Sequence, residues 1–208
     1  MGACALIALL ASAISVASGQ AASGGAASDA PHYVAADVEF MQGMIAHHAQ
    51  ALAMVALIPT RTDRKDMHEL GQRIAISQRD EISLMQHWLE DHHEAVPTVD
   101  SANVAHMPGT QMAGMQMPGM ALMPGMLTPE QMTQLANATG PAFDRLLLQG
   151  MIGHHQGALT MVGHLFATPG AGQVPEISTF ASDVNADQTA EIRRMQRMLA
   201  ATPGVASH

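Results

Sequence analysis

Residues 42–55 read QGMIAHHAQALAMV, and residues 149–162 read QGMIGHHQGALTMV. This is one motif written twice. Each copy carries adjacent histidines, His47-His48 and His154-His155, with a methionine before the pair (Met44, Met151) and another after it (Met54, Met161). Apolar residues around each copy recur every three or four positions, the period of a helix with one buried face. The first copy falls in a helix expected over about 34–58 and stopped by Pro59. The second falls in a helix expected over about 142–167.

The duplication extends beyond these helices. Residues 78–89, QRDEISLMQHWL, align with residues 188–199, QTAEIRRMQRML. Gln78, Glu81, Ile82, Met85, Gln86 and Leu89 thereby match Gln188, Glu191, Ile192, Met195, Gln196 and Leu199. These residues belong to helices expected over about 66–91 and 175–200, each a short turn after its partner. The repeating unit is therefore a helical hairpin, residues 34–94 and again 129–201. Each hairpin has one apolar stripe, and the two stripes are buried by packing together. The expected fold is all-α, a four-helix bundle with pseudo-two-fold symmetry.

Between the hairpins, residues 95–128 contain Pro97, Pro108, Pro118 and Pro124, and no packed helix runs through them. A short helix over about 129–138 begins at Pro129 after Thr128, and Gly140-Pro141 interrupts it. At the other end of the chain, residues 5–17 read ALIALLASAISVA, a short apolar run ending in small residues. It has the character of a secretory signal over residues 1–21, although no Lys or Arg precedes it, and it is too short for a membrane-spanning helix. A flexible lead-in over residues 22–33 would follow, and residues 202–208 form a tail. The only cysteine, Cys4, lies within the signal. The mature chain is then exported without a disulfide, a thiolate metal site or a transmembrane helix.

Composition narrows the function. The 208 residues carry a net charge of −9 with histidine neutral. There is no basic surface to neutralise phosphates, so nucleic acid is not a partner. Aromatics make up only 3 % of the chain while methionines number 18, which describes a core of flexible side chains suited to helices. Sulfur and imidazole donors side by side, twice, point to a soft transition metal and to copper first. On a helical wheel with Met44 at zero, His48 lies near about +40° and His47 near about −60°. The two imidazoles straddle the buried midline, one towards each neighbouring helix, and Met44 stands one turn before both. Asp37 and Asp144 share that face in the two copies. Leu148 replaces Met41 in the second copy.

The linker adds more sulfur. Residues 106–126, HMPGTQMAGMQMPGMALMPGM, hold His106, Met107, Met112, Met115, Met117, Met120, Met123 and Met126. A loop has no core to fill, and these thioethers can wrap Cu(I) or Ag(I). The competing explanation for the helical positions is structural. A histidine on an apolar face is often a core residue satisfied by a carboxylate, here Asp37, Glu81 or Glu191, and methionine at helical spacing is often core filler. His87, His92 and His93 read as a solvated helix end, with Cu(II) or Zn(II) binding as the alternative.

Asp37 with the following FMQGMIAHHAQALAMV, the Gln78/Glu81/Met85/Leu89 spacing, their recurrence from Asp144 and Gln188, and the MPGM linker before TPEQM resemble the domain-of-unknown-function 305 family. The resemblance covers about residues 34–200. It implies a ferritin-like four-helix bundle, exported in bacteria, with some members implicated in copper binding and resistance. Its motif positions map to Asp37, Met44, His47, His48 and Met54, and to Asp144, Met151, His154, His155 and Met161.

The expected function is an exported Cu(I)/Ag(I) buffer or carrier that exchanges the ion with copper-handling proteins and is not an enzyme. The alternatives are a metal-independent interaction module and a di-iron oxidoreductase. Di-iron bundles use Glu-x-x-His motifs on inward faces, and the only such spacing here is Glu90 to His93, at a helix end. The sequence is compatible with a bundle that closes within one chain and with one that closes in a homodimer.

Overall fold

The computed structural model describes residues 32–98 and 122–202. The signal region, Cys4, most of the lead-in, His106, Met107, Met112, Met115, Met117, Met120 and residues 203–208 lie outside the described residues. The described residues contain helices and no strand, so the protein is all-α. The helices are α1 (Ala35–Val55), α2 (Ile58–Arg61), α3 (Lys65–Asp91), α4 (Pro129–Asn137), α5 (Gly140–Ala167) and α6 (Pro175–Ala200).

The ends follow local chemistry. Helix α1 begins where the Asp37 carboxylate accepts a hydrogen bond from the Val34 N–H at 2.9 Å. It stops at Val55, earlier than expected, and Pro59 sits inside α2 rather than terminating α1. Proline is tolerated there because a first-turn N–H has no helical partner to lose. The same rule corrects Gly140-Pro141. The pair opens α5 at its first two residues and does not merely interrupt its predecessor. Thr128 caps α4 reciprocally: its hydroxyl accepts from Gln131 N–H at 3.2 Å, and its own N–H donates to Gln131 Oε1 at 2.8 Å.

Helix α1 packs on α3 and α5 packs on α6, and the two hairpins meet principally through α1 and α5. The shared core includes Phe40, Met41, Met44, Ile45 and Met54 from α1 and Phe143, Leu147, Leu148 and Met151 from α5. Phe40 and Phe180 meet edge to face across the halves, with centroids 6.2 Å apart. The stretch Ala35–Arg61 is long and apolar enough to cross a membrane, yet 72% of its most apolar window is buried inside the protein. Its hydropathy is used by the core.

Candidate metal centre

Consecutive helical residues diverge by about 100°, so the two histidines of a pair cannot share a direction. The ring centroids of His47 and His48 are 6.4 Å apart, and those of His154 and His155 are 6.3 Å apart. His47 and His154 face each other where α1 crosses α5. Their centroids are 3.8 Å apart and their planes are inclined by 38°. His48 and His155 turn the other way, each to the second helix of its own hairpin. His48 Nε2 is hydrogen-bonded to Glu81 Oε2, and His155 Nε2 lies 2.6 Å from Glu191 Oε2. The Ser77 hydroxyl donates to the other Glu81 oxygen at 2.9 Å. All four imidazoles are fully buried.

The linker closes one side of this centre. The Pro124 carbonyl accepts from His47 Nε2 at 3.0 Å. The Gln50 side chain grips Leu127 twice, accepting its N–H at 2.7 Å and donating to its carbonyl at 2.9 Å. Gly125, at φ +75°, lies against Gly153 and Gly157 of α5. A Cβ on Gly157 would come within 1.8 Å of the Pro124 oxygen. Residues 123–127 are therefore a strap laid directly on the α5 backbone.

Burial, then the neighbouring charge of His48, pushes His47 down to about 3 against the opposing pull of the Pro124 carbonyl. Burial, followed by the charges of His47 and His155, pushes His154 well below the usual histidine value. Both are neutral near pH 7. Burial alone would raise the Glu81 carboxyl, but the hydrogen bond and charge of His48, helped by Ser77, outweigh it and hold Glu81 low.

The acceptors also fix which nitrogen carries hydrogen. Carbonyl and carboxylate oxygens only accept, so Nε2 of His47, His48 and His155 is the protonated atom. The Nδ1 atoms of His47, His48, His154 and His155 are all buried without a hydrogen-bond partner, as is His154 Nε2. Buried polar atoms are satisfied in the large majority of cases, so five such nitrogens in one core require a reason. Imidazoles that bind metal through one nitrogen usually donate the other N–H to a carboxylate or backbone carbonyl, the arrangement three of these four display.

A model for the family described as "Domain of unknown function (DUF305)" matches residues 37–199. The chain belongs to the DUF305 family. Among solved structures, this DUF305 protein is similar to a DUF305 fragment from Deinococcus radiodurans, 26% identical over 82% of this chain and 99% of that one, with a TM-score of 0.64. A DUF305 protein from Streptomyces coelicolor is 28% identical over 83% of this chain and 97% of its own, also with a TM-score of 0.64. CopM is similar as well. Its Cu(II)-bound form is 27% identical over 79% of this chain and 96% of its own, TM-score 0.56. Its Ag-bound form is 25% identical over 81% and 98%, TM-score 0.57. A search of curated protein sequences gives no significant match.

The family positions do not all converge in this DUF305 protein. Met44 and Met151 are fully buried within one turn of the histidines, and Met54 is buried while Met161 is half-buried. Asp37 is elsewhere, about 15 Å along the helix from His47. Both its oxygens are committed, one to Val34 N–H and one to Gly172 N–H at 2.7 Å. Asp144 pairs with Arg64 at 3.3 Å, and Arg64 also binds Asp66 and Thr202. Each aspartate thus ties helix ends together. At the end of α3, His92 stacks on Trp88 and bonds its carbonyl, while His87 bonds the Ser83 carbonyl. Among the described residues, no three His, Cys, Asp or Glu groups are placed to hold a metal ion. A metal held at these histidines would have to take two imidazoles or recruit thioethers.

The seat of the strap on α5 is not evident from the linker's own residues, although the repeat contains the signal. Ala46 and Gln50 of the first copy correspond to Gly153 and Gly157 of the second. A glycine inside a helix costs about 1 kcal/mol relative to alanine, and at Gly157 it marks the close approach of the Pro124 carbonyl. Gly157→Ala is expected to expel the strap and cost about 1–3 kcal/mol. Amide hydrogen exchange checks this. The Leu127 N–H should lose its protection, and retained protection would show that the strap tolerates the methyl group.

Proposed function

We propose that this protein is an exported copper-binding protein, a buffer or carrier for Cu(I) that also accepts Ag(I), and not an enzyme. We read its four long helices as a ferritin-like bundle whose centre holds the ion. The carrying observation is the set of four buried Nδ1 atoms without partners, three of them on rings whose Nε2–H is already oriented by Glu81, Glu191 or Pro124. Imidazole nitrogens beside buried thioethers are a donor set for Cu(I), which accepts few ligands in loose geometry. Met44 and Met151 are the nearest thioethers by helical register, with Met54, Met161, Met123 and Met126 further out. The crystallised Ag-bound and Cu(II)-bound forms of CopM support the choice of ion, and the Streptomyces coelicolor relative, predicted to be secreted, supports export.

The test is anaerobic Cu(I) titration against a competing chelator. Replacing His47, His48, His154 and His155 by alanine should weaken the tightest Cu(I) binding at least about 100-fold. Zn(II) should compete poorly. Unchanged Cu(I) affinity would remove these histidines from the site. The hydrogen bonds to Glu81 and Glu191 favour a second reading, in which the histidines are core residues satisfied by carboxylates. That reading accounts for Nε2 of His48 and His155 but leaves the four Nδ1 atoms without a role, and it requires copper to bind the quadruple variant as well as the natural protein.

A further inference from the structure

The methionines that follow the histidine pairs reach across the bundle. Each crosses to the other half and lies over a glycine. The Cβ position of Gly150 on α5 is 3.3 Å from the methyl carbon of Met54. The Cβ position of Gly43 on α1 is 3.5 Å from the methyl carbon of Met161 and 3.4 Å from the sulfur of Met123. Gly43 and Gly150 occupy the same place in the repeat, as do Met161 and Met54. The linker supplies the third partner at both glycines, and here the two differ. Over Gly150 it supplies Leu127, whose two methyl carbons are 3.3 Å away. Over Gly43 it supplies the thioether of Met123.

Leucine therefore satisfies the packing in this geometry, and a sulfur atom at position 123 is not needed to fill space. Met123 is held in place as well, because Pro124 next to it is bonded to His47 and Gly125 is seated on α5. Gly43 lies one helical turn before His47 on the same face. We infer that Met123 and Met161 form a two-thioether site over Gly43 for a soft monovalent ion, Cu(I) or Ag(I), separate from the four histidines. For its ion, the inference rests on the copper reading above. Both methionines are half-buried while the histidines are fully buried, so of the two sites this one lies nearer the solvent. Thioether sulfur selects Cu(I) and Ag(I) over Zn(II). Among the described residues the site is single, since the matching position has only Met54 and a hydrocarbon.

The experiment uses the full chain labelled with 13C at the methionine methyl groups and Ag(I) as a probe that needs no reductant. The Met123 and Met161 methyl resonances should shift in the same titration step, while Met54 stays unmoved in that step. Met123→Leu should abolish the Met161 response, and Met161→Leu the Met123 response. Leu127→Met should bring Met54 into the response by building the missing second site. These exchanges nearly conserve volume, so folding is retained. A Met161 response that survives Met123→Leu overturns the inference. The histidine reading fails separately. If the alanine quadruple variant keeps full Cu(I) affinity while the Met123–Met161 pair still responds, the thioether site stands and the histidine centre does not.

Discussion

Metal-free protein taken from pH 7 to pH 5 should lose about 2 kcal/mol of stability through His47 alone, and more in the same direction through His154. His47 is held down to about 3 in the folded state, by burial first, and His154 lies well below the usual value for the same leading reason. In the unfolded chain both titrate near 6.5. A base with a depressed folded pKa contributes full stability above its unfolded pKa and loses it as pH falls towards the folded value. Below about pH 6.5 the unfolded chain binds two protons that the fold excludes, each worth about 1.4 kcal/mol per pH unit. Glu81, also held low, adds a loss of the same sign, but only below the ordinary carboxylate range near 4.5.

The measurement is urea unfolding at several pH values, read as the midpoint with an unchanged m-value. Replacing His47 and His154 together by glutamine should flatten the profile between pH 6.5 and 5 relative to the natural protein. A natural profile already flat over that range would mean that the crossing imidazoles accept protons in place, and that the centre is not apolar. The copper reading adds a corollary. Protons and Cu(I) compete for the same nitrogens, so loaded protein should resist acid better than empty protein.

The helices were legible because their signals are local. Period, prolines and caps placed α6 at Pro175–Ala200 and the start of α4 at Pro129. The end of α1 was misplaced because Pro59 is equally at home in the first turn of a new helix. For the site, the wheel separated His47 from His48 by one residue's rotation, and the rings do diverge. It gave no means of deciding which ring meets the other hairpin, because that depends on the crossing of α1 with α5. The carboxylates Glu81 and Glu191 were visible as repeat positions and as possible partners, and they do bind His48 and His155. The symmetric reading hid what the asymmetry does. The glycine at 157 and the meeting of Met123 and Met161 over Gly43 become intelligible only when the linker is seen lying on one half. Sequence spacing also grouped Asp37 with the histidines, since both lie on one face, and spacing does not record how far along that face a hydrogen-bond partner waits.

Asp37→Ala is therefore expected to cost about 3–5 kcal/mol of stability and to leave Cu(I) affinity unchanged. The carboxylate is fully buried and accepts two backbone N–H groups, from Val34 at the start of α1 and from Gly172 in the turn between α5 and α6. Hydrogen bonds to a charged group contribute about 1.5–3 kcal/mol each, and alanine also leaves the Gly172 N–H buried without an acceptor. Asp37→Asn keeps one acceptor oxygen and should cost less. The loss should be local in origin, loosening the junction of the first hairpin with the α5–α6 turn. The histidines, about 15 Å away along α1, should keep their geometry. Chemical unfolding reads the first effect, and anaerobic Cu(I) competition on the folded variant reads the second. A folded Asp37→Ala protein whose Cu(I) affinity falls in step with that of the histidine variants would place the carboxylate in the metal centre and remove the purely structural assignment.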